Sequence, residues 1–274
     1  MSGNGVRHNA QAALIGLLAG AFGGLVGLGG GVVMIPLLVH TFRLSQVRAN
    51  GTSLAAVVVS GIAGAATYAR FGSADLWGAL LLAAPAMATA NLGARFAHAL
   101  PEWKLKRAFG AFLLFTTVLL LARPYLNALA VSGTGGAVGT SGAGIAVLLA
   151  TGIFTGFLSG MMGVGGGSIM APAMVVFLGV GQHLAQGTSL LAMVPTGTVG
   201  AWTHFRLGNV AVSILPGLLA GIFLGSSLGA WIAHLLPDAA LRAVFAVVQT
   251  WLGLRYLRTP APAGKSGTAK TPQP

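Results

Sequence analysis

Two short clusters carry the residue types best suited to holding a small ligand. One combines the glycine triplet Gly29, Gly30 and Gly31 with Asn50, Thr52 and Ser53; the other combines Gly165, Gly166 and Gly167 with Gln186, Thr188 and Ser189. Each brings bare backbone together with uncharged hydrogen-bonding side chains at a predicted helix start. Helix N-termini present N–H groups that lack intrahelical partners, at the positive end of the helix dipole. Successive glycines let a ligand approach that backbone closely. The combination suits an oxyanion held without a full countercharge. The same residues also fit a structural role, because Ser and Thr cap helices and glycines let membrane helices pack closely. Arg70 and Arg206, each ending a predicted segment, are placed to attract an anion at opposite mouths or to snorkel as interfacial anchors.

Other chemistries find few residues to work with. The chain has no Cys, no Ser-His-Asp or His-Glu metal spacing, and no Lys-Ser or Lys-Thr after either glycine run to make a nucleotide-binding loop. No enzyme activity, cofactor or metal is expected. The 3 acidic residues, Asp75, Glu102 and Asp238, all fall at predicted segment boundaries. Cation and proton pathways commonly place carboxylates within the membrane, so this pattern favours a neutral or anionic ligand.

The elements that must position these clusters are hydrophobic. Only 7% of residues are charged and 55% are hydrophobic, against roughly a quarter charged in soluble domains. Uncharged stretches such as His8 to Phe42 and Pro124 to Phe205 exceed the ~20 apolar residues that cross a bilayer. The 15 basic residues stand singly between apolar runs, as membrane anchors and topology signals do, and not in the clusters that bind nucleic acid. The lipid bilayer is the expected partner, and nucleic acid is not.

Sliding the chain against itself until Gly27 falls on Gly163 aligns GLGGGVVMIP at 27–36 with GVGGGSIMAP at 163–172 and gives 16 identities in the 39 pairs that begin at Gly16 and Gly152. A duplicated unit follows, with a first repeat over 1–126, a Gly/Ser/Ala-rich linker over 127–144, a second repeat over 145–258 and a disordered tail over 259–274. The expected fold is an all-α polytopic membrane protein with two tandem inverted repeats of about four hydrophobic segments. The glycine triplet followed by Pro36 or Pro172 predicts that the first segment of each is broken or re-entrant.

The basic residues decide between topologies, because cytoplasmic loops are enriched in Lys and Arg. Four crossings per repeat would divide them 7 to 8, which is no bias. If each first segment turns back within the membrane, the repeats are inverted and 12 fall on the cytoplasmic side, leaving Arg70, Arg123 and Arg242 outside. Both termini are then cytoplasmic. Inverted repeats with interrupted helices are a recurrent transporter design, with the ligand near the midplane.

The openings GLVGLGGGVVMIP and GMMGVGGGSIMAP, each followed by Gly-Thr-Ser, resemble the sulfite exporter TauE/SafE family, also called the toluene sulfonate uptake permeases. The resemblance covers about 15–257. It implies a permease of the bacterial plasma membrane that moves a small sulfur-containing anion such as sulfite, thiosulfate or an organosulfonate. Alternating access and export are expected. An anion channel of the same architecture and a membrane scaffold whose glycines only pack helices are the alternatives. The coupling ion, the oligomeric state and the choice of anion stay open.

Overall fold

In a computed structural model, residues 2–96, 102–122, 141–162 and 165–260 are described. The expected linker lies outside them over 127–140 and the expected tail from 261 onward. Ten α-helices make up these residues: α1 Ser2–Val26, α2 Gly31–Phe42, α3 Gln46–Arg70, α4 Leu76–Phe96, α5 Glu102–Ala122, α6 Gly142–Met162, α7 Gly167–Phe177, α8 Gln182–Arg206, α9 Leu215–Leu235 and α10 Asp238–Leu257. A 3-10 turn at Val212–Ile214 leads into α9. Among the described residues five stretches are long and apolar enough to cross a membrane: Gly5–Val26, Gln46–Arg70, Leu76–Gly93, Gly142–Met161 and Val212–Leu235. The described residues are all-helical, and the chain is a multi-pass membrane protein. Each acidic residue sits at an element's edge, Asp75 just before α4, Glu102 opening α5 and Asp238 opening α10.

Small residues set the helix pairing. In α1, side chains added at Gly16, Gly20 and Gly24 would strike the backbone of α9 at Leu218, Ile222 and Ser226 in turn, so the two helices run parallel at backbone contact. In α6, Gly152, Gly156 and Gly160 meet α4 at Leu82, Ala86 and Ala90, again in parallel. The central pair α3 and α8 is antiparallel, with Gly61 against Leu190 and Gly197 and Gly200 against Leu54. The outer pair α5 and α10 is antiparallel too: Gly110 lies on Gly253, and Gln249 donates to the Leu113 carbonyl. With no hydrophobic driving force between helices in lipid, this close backbone approach supplies the dispersion contacts that hold them together.

The first segment is a hairpin. After α1 the chain turns through Gly27, Gly29 and Gly30, all at positive φ (74°, 73° and 79°), where an L side chain is disfavoured. It returns as α2, with Gly30 against the Ala19 carbonyl and Phe42 beside His8, ring centroids 6.0 Å apart. The break falls at the glycines. Pro36 and Pro172 sit inside α2 and α7 without ending them.

Candidate functional site

The tips of the two hairpins meet near the middle of the bundle. Gly20, beside the first tip, faces Ile222 midway along α9, and Gly156, beside the second, faces Ala86 midway along α4. A Cβ on Gly167 would collide with the Gly27 carbonyl oxygen, and one on Gly165 would stand 3.3 Å from the carbonyl oxygen of Leu28. Gly29 and Gly165 share two buried neighbours, Val57 of α3 and Met193 of α8. These two side chains are themselves counterparts in the repeat register. Both short helices, α2 and α7, therefore start at the centre and run outward from it. Their first-turn N–H groups and dipole ends converge where no carboxylate stands within a helix interior. The Gly166 N–H donates to the Met193 thioether sulfur at 3.2 Å.

Of the side chains singled out in the sequence, Gln186 and Ser189 reach this centre. Gln186 is fully buried and packs its Cβ and Cγ against Gly27. Its Oε1 accepts from the Tyr68 hydroxyl at 2.6 Å, while its Nε2 is buried without a hydrogen-bond partner. Tyr68, fully buried at the outer turns of α3, also places its hydroxyl 3.2 Å from the Gly24 carbonyl. The Ser189 hydroxyl lies 2.8 Å from the Gln186 carbonyl and 3.3 Å from that of Gly27. Ser53, the counterpart of Ser189, is fully buried in α3.

Thr52 and Thr188 are buried but engaged elsewhere. The Thr52 hydroxyl donates to the Arg48 carbonyl at 2.7 Å and accepts from the Ala211 N–H at 2.9 Å. The Thr188 hydroxyl accepts from the Asp75 N–H at 3.0 Å. Each threonine thus secures the chain just ahead of the fourth helix of the other half. Gly51 and Gly187 beside them give room for the backbone at Asn209 and Ser73. Asn50 is half-buried and its side-chain oxygen accepts from Gln46 at 3.4 Å, at the edge of hydrogen-bonding range. Arg70 and Arg206 are exposed at the far ends of α3 and α8, about 20 Å along their helices from Val57 and Met193. Arg206 lies over the Trp202 ring, 5.5 Å from its centroid.

Sequence reasoning missed the walls of the centre, Val57 and Met193, and the Tyr68 contact to Gln186. It also missed a polar cluster at one end of the bundle. There the Asp238 carboxylate accepts from the Gln182 N–H at 2.9 Å and meets the His183 ring at 2.6 Å, and His183 lies beside His234. Burial acts to raise the Asp238 carboxyl, but the Gln182 N–H and the His183 side chain and N–H outweigh it and hold it below its ordinary value. In the sequence, only the repeat register at Val57 and Met193 and the boundary position of Asp238 carried any trace of these groups.

The model of the family described as sulfite exporter TauE/SafE matches residues 12–256. The probable membrane transporter protein YunE of Bacillus subtilis is 26% identical over 260 residues, covering 89% of this chain and 95% of that protein. A second Bacillus subtilis relative, the probable membrane transporter protein YdhB, is 26% identical over 89% of this chain and 98% of its own length. A probable membrane transporter protein of Haemophilus influenzae is 28% identical over 85% and 92%. No solved structure matches.

Proposed function

The chain belongs to the sulfite exporter TauE/SafE family of membrane transporters, and from that membership we propose that it is a permease for a small sulfur-containing anion, sulfite, thiosulfate or an organosulfonate. The observation that carries this reading is the meeting of two half-helix N-termini between α3 and α8, mid-bundle, at glycine turns whose backbone carries no side chain. Helix starts favour negative charge, and paired broken helices at the middle of a bundle are where transporters hold their ligands. The contacts come from Gly29 to Gly31, Gly165 to Gly167, Gln186 and Ser189, with Ser53 as the counterpart of Ser189. Thr52 and Thr188 act by positioning the flanking chain, Asn50 is a neighbour of the site, and Arg70 and Arg206 are interfacial.

The repeats are inverted and both termini face the cytoplasm of a bacterial plasma membrane. Helix directions support this. Two parallel repeats would run α3 alongside α8, and α5 alongside α10, in the same sense, whereas both pairs are antiparallel. The basic residues then place 12 of 15 on the cytoplasmic side. Alternating access moves the two halves about the shared centre. An inside-negative potential drives an anion outward by ~2.3 kcal/mol per charge per 100 mV, so export proceeds without an intramembrane carboxylate to couple it.

Flux of labelled sulfite, thiosulfate, taurine and sulfoacetate into liposomes bearing the purified chain tests the proposal. Saturable flux of at least one is expected. Flux that never saturates makes the protein a channel, and no flux of any of the four overturns the reading.

A further inference from the structure

We propose that the anion is held asymmetrically, at the start of α7, by the hydroxyls of Thr155 and Ser168 and the N–H of Gly166, with the Met193 thioether occupying the position that an anion oxygen takes. This rests on the reading of the chain as an anion permease and assigns the site within it.

Helical threonine hydroxyls in this chain habitually satisfy themselves, both where they are buried, at Thr117 and Thr196, and where they are half-buried, at Thr67, Thr203 and Thr250. Thr67, Thr117, Thr196, Thr203 and Thr250 each donate to the carbonyl four residues earlier at 2.7–2.9 Å. Thr155, fully buried in α6, does not, and neither its hydroxyl nor that of Ser168, 2% exposed in the first turn of α7, has a hydrogen-bond partner. Orphaned buried hydroxyls are costly and call for an explanation. Both residues flank the start of α7. The Thr155 side chain abuts Gly166, the residue that caps α7, so closely that a Cβ there would strike its methyl group, and Ser168 stands two residues beyond.

The third donor is the Gly166 N–H. It donates to the Met193 sulfur at 3.2 Å, a weak acceptor on a flexible side chain that an anionic oxygen displaces with gain. Two O–H donors and one N–H donor at the positive end of an 11-residue helix match the oxygens of a small pyramidal or tetrahedral oxyanion. The first hairpin lacks counterparts of the two hydroxyls and the thioether. The repeat register that sets Gly27 on Gly163 puts Ala19 for Thr155, Val32 for Ser168 and Val57 for Met193, and Gly30 packs directly on the Ala19 carbonyl.

Sulfite flux in liposomes and sulfite-dependent thermal stabilisation of the full chain test this. Thr155→Val and Ser168→Ala should each raise the half-saturating sulfite concentration about tenfold, the size of one hydrogen bond lost to a charged oxygen. Their unfolding midpoints without sulfite should stay level or rise, because an unsatisfied buried hydroxyl has gone. Thr155→Ser should behave like the parent, and Val32→Ala in the first hairpin should leave half-saturation within about twofold. Unchanged half-saturation in both hydroxyl variants overturns the assignment while leaving the permease reading intact. A lowered midpoint in both also overturns it, by making the hydroxyls structural. Absence of saturable sulfite flux in the parent, with saturable flux of another sulfur anion, moves the same comparison to that anion; absence for every anion removes the permease reading itself.

Discussion

Replacing Thr52 and Thr188 by Val separates positioning from ligand contact. Valine keeps the shape of threonine and removes only the hydroxyl. At Thr52 the change strips the Ala211 N–H of its acceptor at 2.9 Å in a buried setting, and at Thr188 it takes the acceptor from the part-buried Asp75 N–H at 3.0 Å. A buried donor left unpaired costs about 1–3 kcal/mol, and for the part-buried one the cost falls toward the lower end of that range. At about 2–4 °C per kcal/mol for a chain of this order of size, each variant should unfold some ~2–12 °C lower. Thr188 neighbours Asp75 beyond the end of α3, whereas Thr52 lies in its second turn. The two sites are thus separated by more than about 20 Å along that helix, and their effects should add in the double variant. Thermal unfolding in detergent measures the stability, and half-saturation in liposomes measures the ligand. Thr52→Ser and Thr188→Ser retain the hydroxyl and should recover most of the loss. Lowered midpoints with half-saturation held within about twofold fit the positioning role. Midpoints level with the parent and flux lost in the Val variants would refute the reasoning and return these hydroxyls to the anion.

Gly167→Ala should abolish assembly of a folded chain, because its Cβ would fall on the backbone oxygen of Gly27; size-exclusion profiles check this, with Gly142→Ala, which meets nothing within 4 Å, as the tolerated control. Gly72 and Gly208, matched positions of the two repeats, both in open space but at positive φ (67° and 70°), where a Cys side chain costs about 1–2 kcal/mol, allow a topology test in a chain without native cysteine. Gly72→Cys should react with an impermeant thiol reagent from outside and Gly208→Cys only from the cytoplasm, and labelling of both from one side would exclude inverted repeats. The Asp238 carboxyl is held below its unfolded value of 3.8, so it contributes stability above that pH, and the contribution is lost as pH falls through the lower folded value. Unfolding midpoints followed below pH 4 should therefore fall less steeply in Asp238→Asn than in the parent. The effect should be small because the carboxylate is 40% exposed.

The parts of this fold legible in the sequence are those dictated by backbone contact. Glycines at 16, 20 and 24 and at 152, 156 and 160 stand out because only a hydrogen fits against the facing carbonyls. The turn at Gly29 and Gly30 was readable because positive φ disfavours residues other than glycine. Helix pairing across the molecule was not. The Thr52 to Ala211 bond closes 159 residues and the Tyr68 to Gln186 bond 118, and no local pattern announces either partner. Threonine next to glycine at a helix start reads equally as a ligand contact and as a clamp. The difference lies in a backbone N–H supplied from the other half of the chain. Val57 and Met193 are ordinary apolar residues until α3 and α8 cross and set them between two glycine turns.

The two halves agree where the structure needs mechanical equivalence and differ where a ligand would need direction. Thr52 and Thr188, with Gly51 and Gly187, make matching clamps on opposite halves. Alternating access in inverted repeats proceeds by one half taking up the arrangement the other has left. Parts that must exchange roles gain from being alike, since unequal clamps would trap the molecule on one side. A single small anion near the pseudo-two-fold centre has the opposite requirement. It cannot satisfy two equivalent donor sets at once, and a second set left unpaired in the interior would be costly. Thr155, Ser168, Met193 and Gln186 stand opposite Ala19, Val32, Val57 and Asn50, so the polar donors that lie buried without partners at this centre belong to the second half. On the proposed reading, specificity for the anion would accordingly belong to the second hairpin and α8, with the first hairpin as the close-packed surface beside them. Transferring Thr and Ser to positions 19 and 32 should therefore weaken transport instead of doubling the site. Gly30 already packs on the Ala19 backbone, and the added hydroxyls would be left without partners.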